Sequence, residues 1–138
     1  MIKFKINSYK SNKYFWVYIH EDLEDFKTEA KKYESKSGKY IWCGEFGLFH
    51  PYEKFRILKD KKELKFNDIG IIRLTKDKLY PRCVYHEVLH AALWQYRLKH
   101  KKKADFGSSI DKREEELAHI YDQLLKKVVS GLYRKKLW

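Results

Sequence analysis

Residues 86–90 read His86-Glu87-Val88-Leu89-His90 within a stretch that has the apolar spacing of a helix. This pentapeptide constrains the fold more than any other feature of the chain. On a helix, positions i and i+4 lie about 40° apart around the axis, so both imidazoles emerge from one face. Two neutral imidazoles at that spacing make half of a tetrahedral zinc site. A glutamate directly after the first can act as general base toward a water held there.

The surrounding segment, Pro81 to His100, carries apolar residues at Val84, Tyr85, Val88, Leu89, Ala92, Leu93 and Tyr96, a 3.6-residue repeat. Pro81 suits a first helical turn, where its missing N–H costs nothing. This stripe predicts a helix mostly buried in the domain. Two histidines and a glutamate beside a buried stripe are costly without partners, and a metal would account for all three. The plain alternative is a surface helix that happens to carry the same five letters.

Two protein ligands hold zinc weakly, so a third is expected from another element. The position six residues beyond His90 is Tyr96, which excludes the pattern with a third histidine there; His100 lies at the basic end of the helix. Downstream, Asp111 to Leu132 reads as a second long helix, with Ser108 or Ser109 as cap, acidic first turns and Gly131 near its end. Its stripe is Leu117, Ala118, Ile120, Tyr121, Leu124, Leu125, Val128 and Val129, and Glu114, Glu115 and Glu116 precede it. Helical phase favours Glu114, which lies nearer the centre of the stripe than Glu115 does.

HEVLH followed by Glu115-Glu116-Leu117-Ala118-His119-Ile120-Tyr121 resembles the gluzincin arrangement, in which a glutamate on a second helix completes the metal site. More narrowly, the stretch from Asp68-Ile69-Gly70-Ile71-Ile72-Arg73-Leu74 to Leu125 is similar to small single-domain metallopeptidases of phages and mobile elements. It covers just under half of the chain, and the first half carries no matching motif. The resemblance implies one Zn²⁺ held by His86, His90 and Glu115, with Glu87 as general base in peptide hydrolysis. Its spacing selects Glu115 over Glu114. His119 departs from the family, where Asp or Asn is frequent; it would hold a ligand histidine by hydrogen bond or face solvent. Tyr96, Tyr121 and His119 are unranked candidates to stabilise an oxyanion. In zincins the strand before the active helix lies beside the cleft and pairs an extended substrate. Here that role would fall to Ile69–Leu74 or to an edge at Gly44–Phe49.

Lys and Arg number 31 against 19 Asp and Glu, a net charge of +12. Such a surplus favours acidic partners, either nucleic acid or an acidic protein. The densest runs are Lys99-His100-Lys101-Lys102-Lys103 and Arg134-Lys135-Lys136. The plain reading is a solvated lysine-rich surface. Two cysteines, Cys43 and Cys83, make no disulfide framework and fit a reducing cytoplasm, the host's if the chain is phage-encoded. No apolar run approaches the roughly 20 residues of a membrane span, and Met1-Ile2-Lys3-Phe4-Lys5 lacks a signal-peptide core.

The N-terminal half predicts strands at Lys3–Asn7 and Tyr14–Ile19, a helix over Glu21–Tyr33 ended by Ser37-Gly38, and an irregular strand or hairpin over Tyr40–Phe49. Short strands follow at Phe55–Leu58 and Ile69–Leu74. The 138 residues are expected to form a single α+β domain, a small, mainly antiparallel sheet packed on the HExxH helix and a long C-terminal helix. Three functions fit: a zinc endopeptidase acting on a specific protein, a basic binding protein whose zinc is mainly structural, and a nucleic-acid-associated protease resembling the SprT-like crosslink proteases. An intact Glu87 favours the first and third, because structural zinc needs no base.

Overall fold

A computed structural model of the chain describes residues 1–35, 47–51, 55–57, 68–100 and 110–138. In chain order these form β1 (Ile2–Asn7), β2 (Tyr14–His20), α1 (Leu23–Ala30), β3 (Tyr33–Ser35), β4 (Gly47–Pro51) and β5 (Phe55–Ile57). β6 (Asp68–Thr75), α2 (Pro81–His100) and α3 (Ile110–Arg134) complete the chain. The class is α+β, as the sequence predicts: a four-stranded, mainly antiparallel sheet with α2 and α3 on one face.

The sheet runs in the order β1-β2-β6-β4, and β3 pairs with β5 separately. β1 and β2 form a hairpin in which Ser8 closes the turn, its N–H and its hydroxyl both donating to the Lys13 carbonyl at 3.0 and 2.9 Å. β2 alternates, with Phe15, Val17 and Ile19 buried and Tyr14, Trp16 and Tyr18 half-buried on the other face. β6 runs parallel to β2 and antiparallel to β4, so both of its edges are hydrogen-bonded. Its sequence fits that position, because a strand covered on both faces reads as a continuous apolar run. Ile69 through Thr75 are all buried.

One face of the sheet, with Phe15, Val17, Ile19, Ile72 and Leu74, forms the main core with Val84, Val88 and Ala92 of α2 and Ile120, Leu124, Val128 and Leu132 of α3. Each fully buried aliphatic of this kind contributes roughly 1.5–3 kcal/mol. α3 lies close enough to β1 that a Cβ at Gly131 would stand 2.3 Å from the Phe4 ring, so any larger residue there would have to push that ring aside. On the other face, Phe26 and Ala30 of α1 pack on Leu48 of β4. α3 ends at Arg134, and two residues further on Lys136, with a φ of 57°, reverses the chain. The terminal residues then fold back, and the Trp138 indole donates to the Leu79 carbonyl at 2.8 Å just ahead of α2.

Two local expectations change. The expected helix over Glu21–Tyr33 is shorter, because Asp22 caps it by accepting from the Asp25 N–H at 2.8 Å, and Tyr33 belongs to β3. The buried face of α2 is also rotated by roughly a quarter turn from the predicted stripe. Tyr85 and Leu89 are 41% and 40% exposed, whereas Glu87, Ala91 and Trp94 are buried. A helix covered by a sheet below and a second helix at its flank buries a different arc from one covered on a single side. The Ser37-Gly38 stop, Tyr40–Phe46, Cys43, Leu58, Lys101–Lys103 and the Ser108/Ser109 cap lie outside the described residues. Among the described residues, no helix is long and apolar enough to cross a membrane.

Candidate metal centre

α2 begins at Pro81, and its first turn is closed by the Tyr80 carbonyl, which accepts from the N–H groups of Cys83 and Val84 at 2.9 and 3.1 Å. One turn further on, His86 emerges from the exposed arc of the helix and His90 follows it. Their ring centroids are 4.7 Å apart and their planes stand at 85°. The two Nε2 atoms face each other across 3.2 Å. Two imidazole nitrogens on a tetrahedral zinc, each at about 2.0–2.1 Å, lie roughly 3.3 Å apart. The pair therefore has the spacing of two corners of such a site. Burial, and then the charges of His86 and Arg97, lower the pKa of His90 and favour the neutral ligand form.

Glu87 takes the opposite course. Its side chain turns from the exposed arc into the seam between α2 and β4 and is 7% exposed. Gly47 at the start of β4 makes room for it: a Cβ there would stand 2.7 Å from Glu87 Cγ. Burial pushes the Glu87 carboxyl up to about 7, the range in which a carboxylate exchanges protons near neutral pH.

The glutamates of α3 do not join this group. Among the described residues, no set of three His, Cys, Asp or Glu side chains converges on a metal position. Glu115 is 72% exposed, and its carboxylate lies 3.3 Å from His119 Nε2, one turn along its own helix. Glu114 is exposed as well. Glu116 binds the C-terminal end of α2 instead, pairing with Lys99 and lying 2.7 Å from His100 Nε2. This pairing ties His100, at the basic end of α2, to α3. Tyr121 reaches α2 closer to the histidines, its hydroxyl donating to the Tyr85 carbonyl at 3.4 Å. Glu115 lies six residues before Tyr121, about 9 Å along α3. Tyr96 is fully buried and belongs to the core, which removes it as an oxyanion stabiliser at an exposed histidine pair.

The sequence offers two strands for substrate pairing. β6 is hydrogen-bonded along both edges and cannot accept another strand. Among the described residues, β4 lies at the end of the sheet order, beside Glu87. On the far side of the histidines, Tyr85 and Leu89 are exposed, and the Tyr85 ring meets Trp138 at 6.4 Å between centroids. The sequence reading missed the partnership of Gly47 with Glu87, although a glycine within a strand is a standing signal of close backbone approach. No protein-family model matches the chain, and neither curated proteins nor solved structures offer a significant match.

Proposed function

We propose that this protein is a zinc-dependent metallopeptidase, with His86 and His90 as metal ligands and Glu87 as the general base. The observation that carries the reading is the exposed Nε2–Nε2 pair at 3.2 Å with a buried carboxylate one residue along the same helix. Either element alone is ordinary. Together they combine a metal-binding edge and a proton acceptor within one helical turn.

Glu115 remains the third ligand on the strength of the resemblance. Its pairing with His119 is an exposed contact across one helical turn, of a kind that contributes little, so giving it up costs little. Zinc held there would supply Lewis acidity and lower the pKa of a bound water. The chain's own residues do the rest. The Glu87 carboxyl, desolvated under β4, takes a proton from water and returns it to the leaving amine. Among the described residues β4 pairs on one edge only, and the other would take an extended peptide, with Tyr85 and Leu89 giving its side chains an apolar surface on the opposite side. The exposed position of Glu115 also supports a second reading, a binding protein on the same scaffold that recruits a partner through its basic surface.

Metal analysis combined with a partner-capture experiment separates the two. Purified chain is expected to carry one zinc, and Glu87→Gln to retain both zinc and a captured protein that the parent cleaves. Zinc with no cleavage of any captured protein would favour the binding reading, and absence of zinc would remove both.

A further inference from the structure

The outer face of the β1–β2 hairpin carries a pattern that the metal site does not use. Along β2, Tyr14, Trp16 and Tyr18 occupy alternate positions, half-buried, on the face opposite Phe15, Val17 and Ile19. Neighbouring rings meet edge to face, at 6.0 and 5.9 Å between centroids and 83° and 62° between planes. β1 supplies the complementary charges. Lys3 pairs in register with Tyr18 and Lys5 with Trp16, and both lysines are exposed. Lys3 Nζ lies 4.6 Å from the Tyr18 ring, and Lys5 Nζ lies 4.1 and 4.7 Å from the Tyr14 and Trp16 rings. Arg73 of β6 approaches Tyr18 at 5.1 Å. Asp68, at the Tyr14 end, raises the Tyr14 hydroxyl pKa through a hydrogen bond.

We propose that this strip of alternating aromatic rings and lysines binds single-stranded nucleic acid. Such binding combines cations that track a phosphate backbone with aromatic faces on which successive bases stack, and it needs no base-specific contact. Both components are present here in one register, on a chain whose net charge is +12. An acidic peptide would use the lysines and leave three rings in line without a role. A duplex would meet the lysines but keeps its bases paired and stacked, leaving none to lie on a ring. The proposal is independent of the metal reading, since none of these residues belongs to α2 or α3.

The test is fluorescence anisotropy with the full chain and a labelled oligothymidylate of about 15 nucleotides, titrated over a range of salt. The parent is expected to bind, with the logarithm of its affinity falling linearly in log salt. Lys3→Ala with Lys5→Ala should weaken binding and reduce the salt slope by about 1.4, since each phosphate contact to a single strand contributes about 0.7. Trp16→Ala should weaken binding roughly 5- to 150-fold, the range for loss of one stacked base, and Trp16→Phe should retain most of the affinity. The lysine pair and the Phe variant keep the test sound should Trp16→Ala unfold. An unchanged affinity and slope in the double lysine variant would overturn the proposal. So would equal binding of a blunt duplex or of a polyglutamate peptide.

Discussion

Gly47 and Glu87 occupy one another's space: a methyl group at residue 47 would stand 2.7 Å from Glu87 Cγ and 3.1 Å from its Cδ. Residue 47 opens β4, the last strand of the sheet among the described residues, and residue 87 follows the first histidine of the pair, so this contact ties that strand to the candidate base. It also explains why the carboxylate is desolvated although both histidines beside it are exposed.

Gly47→Ala is therefore expected to destabilise the protein by about 1–3 kcal/mol, the usual range for overpacking, and to displace the Glu87 side chain. Removing Glu87 beyond Cβ clears the space. Gly47→Ala combined with Glu87→Ala should consequently lose much less than the sum of the two single changes. Denaturant unfolding of the four proteins gives the coupling directly; strict additivity would mean that the two residues do not touch in solution.

His86→Ala and His90→Ala are each expected to lose zinc, since either change removes one of two facing nitrogens. Folding should survive, because both side chains lie on the exposed arc of α2. Metal content measured after gel filtration, with circular dichroism alongside, checks both halves. Full zinc occupancy in both variants would place the metal elsewhere.

Glu115→Ala should reduce zinc retention, whereas Glu116→Ala should leave it intact and instead lower the melting temperature through loss of the Lys99 and His100 contacts. Metal titration and thermal unfolding of the same two variants separate these roles. Zinc loss confined to Glu116→Ala would reassign the third ligand to that residue.

Much of this was legible in the sequence, for reasons that differ between elements. α2 spans Pro81–His100 as expected, because proline marks its start and the periodic run continues to the basic end. The histidine pair follows from helical geometry alone. The direction of Glu87 was not legible: 3.6-residue periodicity locates an apolar arc, but α2 is covered by a sheet and a helix together, which turns the buried arc toward Glu87, Ala91 and Trp94. The parallel pairing of β2 with β6 joins residues more than 50 positions apart, and no local signal in either strand announces it. Glu115 shows the limit of motif spacing, which fixes a residue's order along a helix but not the neighbour its carboxylate meets.

Glu87→Gln should keep zinc and fold while lowering peptide hydrolysis on the order of 10²- to 10⁴-fold, since it removes a proton acceptor without changing size or a ligand. A substrate captured by the Gln variant supplies the assay. Parent-level cleavage by that variant would exclude Glu87 as the base.

Acid sensitivity is expected at a group away from the candidate metal centre. His20 is fully buried, with Nδ1 3.2 Å from Asp25 Oδ2 and Nε2 3.1 Å from Arg73 Nη1. Because a guanidinium only donates, Nε2 must accept and Nδ1 must carry the proton given to Asp25. That arrangement needs neutral imidazole. Burial, and next the Arg73 charge, lower its pKa to about 4, against the opposing pull of Asp25 and Glu29. A depressed histidine pKa means that this group's stabilisation is complete above the unfolded value of about 6.5 and is lost as pH falls from there toward 4. The loss is on the order of 3 kcal/mol. With a chelator present to silence the metal site, unfolding free energy should fall between pH 7 and pH 4.5. His20→Gln should fall less, since an amide can accept from Arg73 and donate to Asp25 without titrating. Equal losses in parent and variant would show that the acid sensitivity arises at other groups.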